Sequence, residues 1–304
     1  MNPAALLLAM RPQQWVKNVF VLAALGFAYG DSTRRAVTAD DLLRTLLAFA
    51  AFCIGASAVY LINDVVDIER DRAHPKKRFR PIASGKLSVP AAIGAAVVCI
   101  AGSLTLAWFA GDGSGRIAGA TAFYVAMNLA YSFKLKRVVL VDAFCIATGF
   151  LLRVMAGGWA AHADISHWLL LCTLFLALFL ALNKRRAELA LVGDSPAAET
   201  RATLRQYNLG FLDQMVTVLA ACAVMCYAMY TVDSETVAKF QSGRNLVWSV
   251  PFVVFGIGRY MLLVQTAQAG ESPTRILLGG DVVFALNLLG WLGVVASVVM
   301  GFWV

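Results

Sequence analysis

Charge is scarce in this sequence. Only 14% of its 304 residues are Asp, Glu, Lys or Arg, while 60% are hydrophobic and the mean hydropathy is +0.71. A chain with so little polar surface does not keep itself in water as a globular domain, so its natural solvent is lipid. Each helical crossing of a bilayer uses about 20 residues. That leaves room for many crossings and little for a separate soluble domain, so residues 1–304 are expected to form a single membrane-embedded domain.

Other scarcities narrow the function. The polar loops contain no cysteine: Cys53, Cys99, Cys145, Cys172, Cys222 and Cys226 all lie in apolar stretches and read as small core residues. Cys222 and Cys226 share a helix face, but no histidine or further cysteine lies close enough in sequence to complete a metal site. Of the three histidines, His162 and His167 flank Asp164 on the face of the membrane opposite to the chemistry argued below, and His74 stands alone in a loop. The net charge of +8 is not gathered into a basic amphipathic recognition helix, so nucleic acid is not an expected partner.

What is present is a series of nine apolar runs, near residues 16–30, 42–62, 89–110, 117–133, 138–158, 167–182, 210–231, 246–265 and 281–303. The first resembles the apolar part of a signal peptide, with Lys17 in front, but eight further runs make it a membrane segment in its own right. Of the 26 lysines and arginines, 18 fall on the N-terminal side of the membrane and 6 on the other, so the positive-inside bias predicts a cytoplasmic N-terminus. Arg153 sits at membrane depth, where a charge costs about 3 kcal/mol or more unless it faces a polar cavity, so such a cavity is expected around it. Two long, densely charged loops, 63–88 and 183–209, lie on the cytoplasmic side after the second and sixth runs, and hint at a repeat of two helical bundles.

The first of these loops carries the chemistry. It begins Asn63-Asp64-Val65-Val66-Asp67-Ile68-Glu69-Arg70-Asp71, and a helix continued through it puts Asn63, Asp67 and Asp71 on one face with Asp64 beside them. Carboxylates gathered this way repel each other and call for a cation. Oxygen ligands alone select a hard ion such as magnesium, which commonly bridges to substrate phosphates. Lys76, Lys77, Arg78, Arg80 and Lys86 follow within eleven residues, with Arg78 and Arg80 best suited to phosphate because a guanidinium offers a bidentate fork. A loop of this kind in isolation reads as a topology signal; beside the aspartates it reads as an anion site.

The spacing Asn63-Asp64-x-x-Asp67-x-x-x-Asp71 resembles the first Asp-rich motif of the UbiA superfamily of intramembrane prenyltransferases, and Tyr131-Ser132-x-x-Leu135-Lys136 before Asp142 resembles its fourth-helix signature. The resemblance covers nearly the whole chain. It implies an all-α membrane fold of about nine transmembrane helices around a central cavity, Asp-rich loops after the second and sixth helices, and a magnesium-bound diphosphate. In place of the usual second pair of aspartates the chain has Asn183-Lys184-Arg185-Arg186-Ala187-Glu188-Leu189, followed at a distance by Asp194 and Glu199. That run resembles the polyprenyl-phosphate phosphoribosyltransferase branch of the family. So do Arg11, Pro12, Gln14, Trp15, Lys17 and Asn18 near the N-terminus and the run from Lys77 to Ala83.

The resemblance implies transfer of a 5-phosphoribosyl group from phosphoribosyl pyrophosphate to a polyprenyl phosphate of decaprenyl type, with release of pyrophosphate. Asp64, Asp67 and Asp71 are then the magnesium ligands and catalytic carboxylates. Lys17, Asn63, Arg78, Arg80, Tyr131, Lys134, Lys136, Asp142, Lys184, Arg185 and Glu188 are the expected substrate-binding residues. Glu188 is equally suited to holding Lys184 or Arg185 in place. Asp142, a turn into the fifth run, is expected to bond a lysine of the preceding loop or a sugar hydroxyl; Arg153, roughly 16 Å along the axis, is too far to pair with it. Two alternatives differ in class. A family member that prenylates an aromatic or quinone precursor would need the missing second aspartate pair, and a transporter would place its ionisable groups near the bilayer midplane and not at one surface.

Overall fold

The computed structural model describes residues 3–192, 204–240, 243–266 and 281–302, and among these every regular element is helical. In chain order the α-helices are α1 (Pro3–Met10), α2 (Val19–Gly30), α3 (Ala39–Val66), α4 (Ile68–Ala73), α5 (Val89–Ala110) and α6 (Arg116–Phe133). They continue as α7 (Val141–Ala160), α8 (His167–Val192), α9 (Leu209–Val232), α10 (Ser234–Lys239), α11 (Val250–Thr266) and α12 (Val282–Val299). Each of the nine apolar runs overlaps a helix among the described residues. Among the described residues, seven helical stretches are long and apolar enough to cross a membrane by length and composition: α3, α5, α7, α8, α9, Asn245–Gln265 and α12. The other two runs fall short for visible reasons. α2 has 12 helical residues after a 3-10 turn over Pro12–Asn18, and α6 has 18 that include Arg116, Asn128 and Tyr131.

Local sequence sets the helix ends. Thr38 and Asp41 form a reciprocal capping box at the start of α3, with the Asp41 carboxylate accepting the Thr38 N–H at 2.9 Å. Asn208 and Asp281 cap α9 and α12, each accepting the backbone N–H three residues on at 2.7 Å. One boundary differs from the sequence reading. α8 runs through Val192, so Asn183 to Glu188 belong to a helix and not to a loop. Their charges do not end it, because they pair along the helix at i,i+3 and i,i+4.

The described chain packs into two compact units. The first comprises residues 1–25, 37–136 and 152–164. Its core is rich in small side chains, with Ala48, Ala51, Phe52, Ala56, Ala107, Tyr124 and Ala156 in one cluster and Ala5, Ala9, Ala58, Leu61, Ile82, Ala92 and Ala96 in another. Small residues let membrane helices approach closely. Thus Ser103 on α5 donates to the Ala51 carbonyl of α3 at 2.7 Å, and at Gly157 on α7 any Cβ would overlap the Val21 carbonyl of α2. Arg153 lies in this interior. It donates to Asn18 at 2.6 Å and to the Tyr124 hydroxyl at 2.9 Å, with its guanidinium 4.8 Å from the centre of the Tyr124 ring. Side-chain oxygens and an aromatic face thus compensate its charge.

The second unit comprises residues 26–36, 137–151 and 165–304. Its larger core joins Ala143 and Ala147 of α7 to Leu178, Phe179 and Leu182 of α8, Leu212 and Val216 of α9 and Tyr260 of α11. A smaller cluster holds Tyr227, whose hydroxyl meets Ser249 Oγ at 2.7 Å and accepts from Trp291 Nε1 at 2.8 Å. Val97 and Val98 on α5 and Leu286 and Leu289 on α12 are exposed. In a bilayer such faces meet acyl chains and cost nothing.

Candidate active site

The aspartate motif lies where the longest helix breaks. α3 ends at Val66, Asp67 takes a non-helical conformation (φ −95°, ψ 11°), and α4 restarts at Ile68. The hydrogen bonds bridge the break, from Asp67 N–H to the Asn63 carbonyl at 2.9 Å and from Asp71 N–H to the Asp67 carbonyl at 2.8 Å. The chain therefore stays close to helical and the carboxylates keep nearly the expected spacing. Their grouping differs. Asp64 and Asp71, two turns apart, share the guanidinium of Arg80, at 3.2 Å and 2.6 Å. Asp67 instead takes Lys136, whose Nζ lies 2.8 Å and 2.9 Å from its two oxygens.

A further cation was not foreseen. Arg11 Nη2 donates to Asp64 Oδ1 at 2.5 Å, with the guanidinium 4.9 Å from the centre of the Tyr60 ring. The signal for it was present, since Arg11 opens the N-terminal run that carries the branch resemblance, but nothing local to that run indicates a partner 53 residues away. The segment is fastened to α3 on either side of Arg11. Trp15 Nε1 donates to Ser57 Oγ at 3.0 Å, and Ser57 Oγ donates to the Met10 carbonyl at 3.0 Å.

The remaining expected residues of this unit spread around the cluster in different environments. Arg78 is exposed, with its guanidinium 4.9 Å from the centre of the Phe79 ring, and Lys134 is exposed where α6 ends. Asn63, Tyr131 and Lys17 are half-buried, the last in the 3-10 turn that follows Arg11. Lys136 is buried. His162, on the loop after α7, pairs with Asp41 at 2.9 Å and so belongs to the α3 cap, not to a metal site.

Among the described residues no three His, Cys, Asp or Glu side chains converge as a ready-made metal site, because each carboxylate of the motif is drawn onto a cation. The donors still suit a hard divalent ion. Asp64 is buried, its Oδ1 carries both arginines, and its Oδ2 is buried with no hydrogen-bond partner. An ionised oxygen in that position is costly unless a cation completes it.

In the second unit the expected residues are tied to each other. Asp142 is fully buried and accepts from Arg185 Nε at 2.7 Å and from the Tyr207 hydroxyl at 3.1 Å, so its cation is Arg185 and not a lysine of the preceding loop. A local reading of the preceding loop misses this pairing because Arg185 and Tyr207 are 43 and 65 residues away. Arg185 also donates to Glu188 at 2.7 Å, so Glu188 does hold it, while Lys184 stands 3.9 Å from Glu188 and is substantially exposed. Tyr207 also accepts the Leu140 N–H at 2.8 Å, fixing a backbone with φ of 65° that leucine rarely adopts. Burial pushes the Tyr207 phenol up to about 12, so it stays protonated and can donate to Asp142. Asp194 and Glu199 lie outside the described residues.

With this geometry in place, comparison with known proteins defines the class. The chain matches the UbiA prenyltransferase family over residues 11–193 and belongs to that family. The fold agrees. A UbiA homolog from Archaeoglobus fulgidus, solved bound to GPP and Mg2+, superposes with a TM-score of 0.70 at 19% identity, covering 96% of this chain and 99% of that one. Within the family, this chain is 40% identical to the decaprenyl-phosphate phosphoribosyltransferase of Corynebacterium glutamicum, over 93% of this chain and 83% of that one. It is 38% identical to the decaprenyl-phosphate phosphoribosyltransferase of Mycobacterium tuberculosis, over 97% of this chain and 94% of that one. It is thus a multi-pass membrane protein of the UbiA family.

Proposed function

We propose that this protein transfers a 5-phosphoribosyl group from phosphoribosyl pyrophosphate to a polyprenyl phosphate, releasing pyrophosphate, and that its 304 residues work as one transferase domain. The observation that carries this reading is the likeness, over nearly the whole chain, to two proteins named for that activity. The chemistry of the residues supports it. Both substrates are multiply anionic, and their mutual repulsion has to be offset before an anomeric carbon and a phosphate oxygen can meet.

In the first unit Arg11, Arg78, Arg80, Lys134 and Lys136 supply that positive charge around the aspartates. Asp64, Asp67 and Asp71 would hold magnesium, which when bound neutralises the diphosphate leaving group. Arg78 is exposed and presents its fork to solvent, which suits a phosphate oxygen. In the second unit the exposed Lys184 would meet an anion, whereas Arg185, Asp142, Glu188 and Tyr207 would act as a scaffold that fixes the helix bearing it. The cytoplasmic face is the proposed location of the aspartate motif, since the basic loops fall on that side.

The experiment is direct. Purified protein in detergent, given phosphoribosyl pyrophosphate labelled in the ribose and a polyprenyl phosphate, is expected to move label into the organic phase in a magnesium-dependent way. No transfer, together with efficient prenylation of an aromatic acid from a prenyl diphosphate, would overturn the assignment.

A further inference from the structure

We propose that Arg11 couples metal binding to diphosphate binding by competing for Asp64. This rests on the aspartate motif being the metal and diphosphate site of the proposed reaction. Three observations in the first unit point to it. Both arginines converge on a single oxygen of Asp64, Oδ1, while Oδ2 is buried and has no hydrogen-bond partner. Arg80 has a second carboxylate in Asp71 and stays held if Asp64 is taken, whereas among the described residues Arg11 is paired with the carboxylate of Asp64. Finally, the backbone of Arg11 is left-handed (φ 54°, ψ 60°), a conformation that side chains rarely adopt, yet the segment is tied to α3 through Trp15 and Met10 on either side. Strain of this kind persists where surrounding contacts over-determine a position.

The consequence is thermodynamic. The Arg11 side chain is about a fifth exposed and Asp64 is buried, so an anion can reach the guanidinium from the open side. A cation settling on Asp64 Oδ2 repels the Arg11 guanidinium held on Oδ1 and competes with it for the carboxylate charge, and an anion settling on Arg11 competes with Asp64 for the guanidinium. Each event therefore weakens the same ion pair, and whichever comes second finds it already weakened. Metal and diphosphate bind with positive coupling, which by linkage is equal in both directions. Arg11 is in this sense a positioning residue that keeps Asp64 from binding metal tightly until diphosphate arrives.

The test uses the full-length protein in detergent and separates the two ligands. Manganese binding, read from the EPR signal of free ion with no anion present, is expected to tighten about tenfold or more in Arg11→Gln, since a competing charge-assisted bond is gone. Pyrophosphate binding, measured in chelator, is expected to tighten in Asp64→Asn, and that gain should disappear in the Asp64→Asn, Arg11→Gln double variant. If Arg11→Gln folds poorly, Arg11→Gly removes the cation while accepting the left-handed backbone, and the same tightening is expected. Unchanged or weaker manganese binding in both Arg11 variants, with Asp64→Asn having lost it, would overturn the coupling alone. Manganese binding that survives in Asp64→Asn would overturn the metal role of Asp64, and the coupling with it.

Discussion

At the residue scale the two charged clusters divide by burial. Arg185 and Asp142 are almost wholly buried against each other, and removing one partner of such a pair leaves a charge uncompensated. Arg185→Ala is therefore expected to destabilise the protein by about 3–5 kcal/mol, seen as a marked drop in thermal unfolding temperature in detergent. Lys184→Ala should leave that temperature nearly unchanged, because an exposed pair at 3.9 Å contributes little, and should instead weaken binding of phosphoribosyl pyrophosphate. If Lys184→Ala leaves donor affinity unaltered, its proposed role is wrong. The aspartates make a different prediction. Asp64→Ala or Asp67→Ala should lower turnover by on the order of a hundredfold or more, the scale of losing a metal's charge stabilisation. Extraction and folding should be retained, and full turnover of either variant, or of wild type in excess chelator, would exclude a metal role for the motif.

At the element scale, close helix contact depends on small residues at particular places. Gly157→Ala would drive a methyl group into the Val21 carbonyl, so α2 or α7 has to shift, at a cost of about 1–3 kcal/mol. Gly102→Ala on α5 meets nothing within 4 Å and should be neutral or slightly stabilising through helix propensity. Thermal unfolding of the two variants side by side tests this, and equal stability would show that the approach of α2 to α7 is not tight. Asp281, where the ninth apolar run begins, is the N-cap of α12. The end of α8 was not legible in the sequence, because charged residues at Asn183 to Glu188 look like a loop until their i,i+3 and i,i+4 pairing is seen.

At the scale of the whole molecule, the 18 to 6 division of basic residues predicts that the N-terminus and the segments starting at residues 63, 134 and 183 face the cytoplasm. Engineered cysteines there should resist a membrane-impermeant reagent in intact cells and react after permeabilisation; labelling from outside would reverse the topology. The helical membrane class, the nine apolar runs and the aspartate motif were determined by the sequence itself, because hydropathy and four-residue spacing are local properties that survive without any partner. Which cation each carboxylate takes was decided only by tertiary structure. Arg11 reaches Asp64 across 53 residues, Lys136 reaches Asp67 across 69, and Arg185 reaches Asp142 across 43. Charge pairing at such separations follows from helices packing side by side, and a linear pattern of signs allows many pairings of which the packed interior permits one.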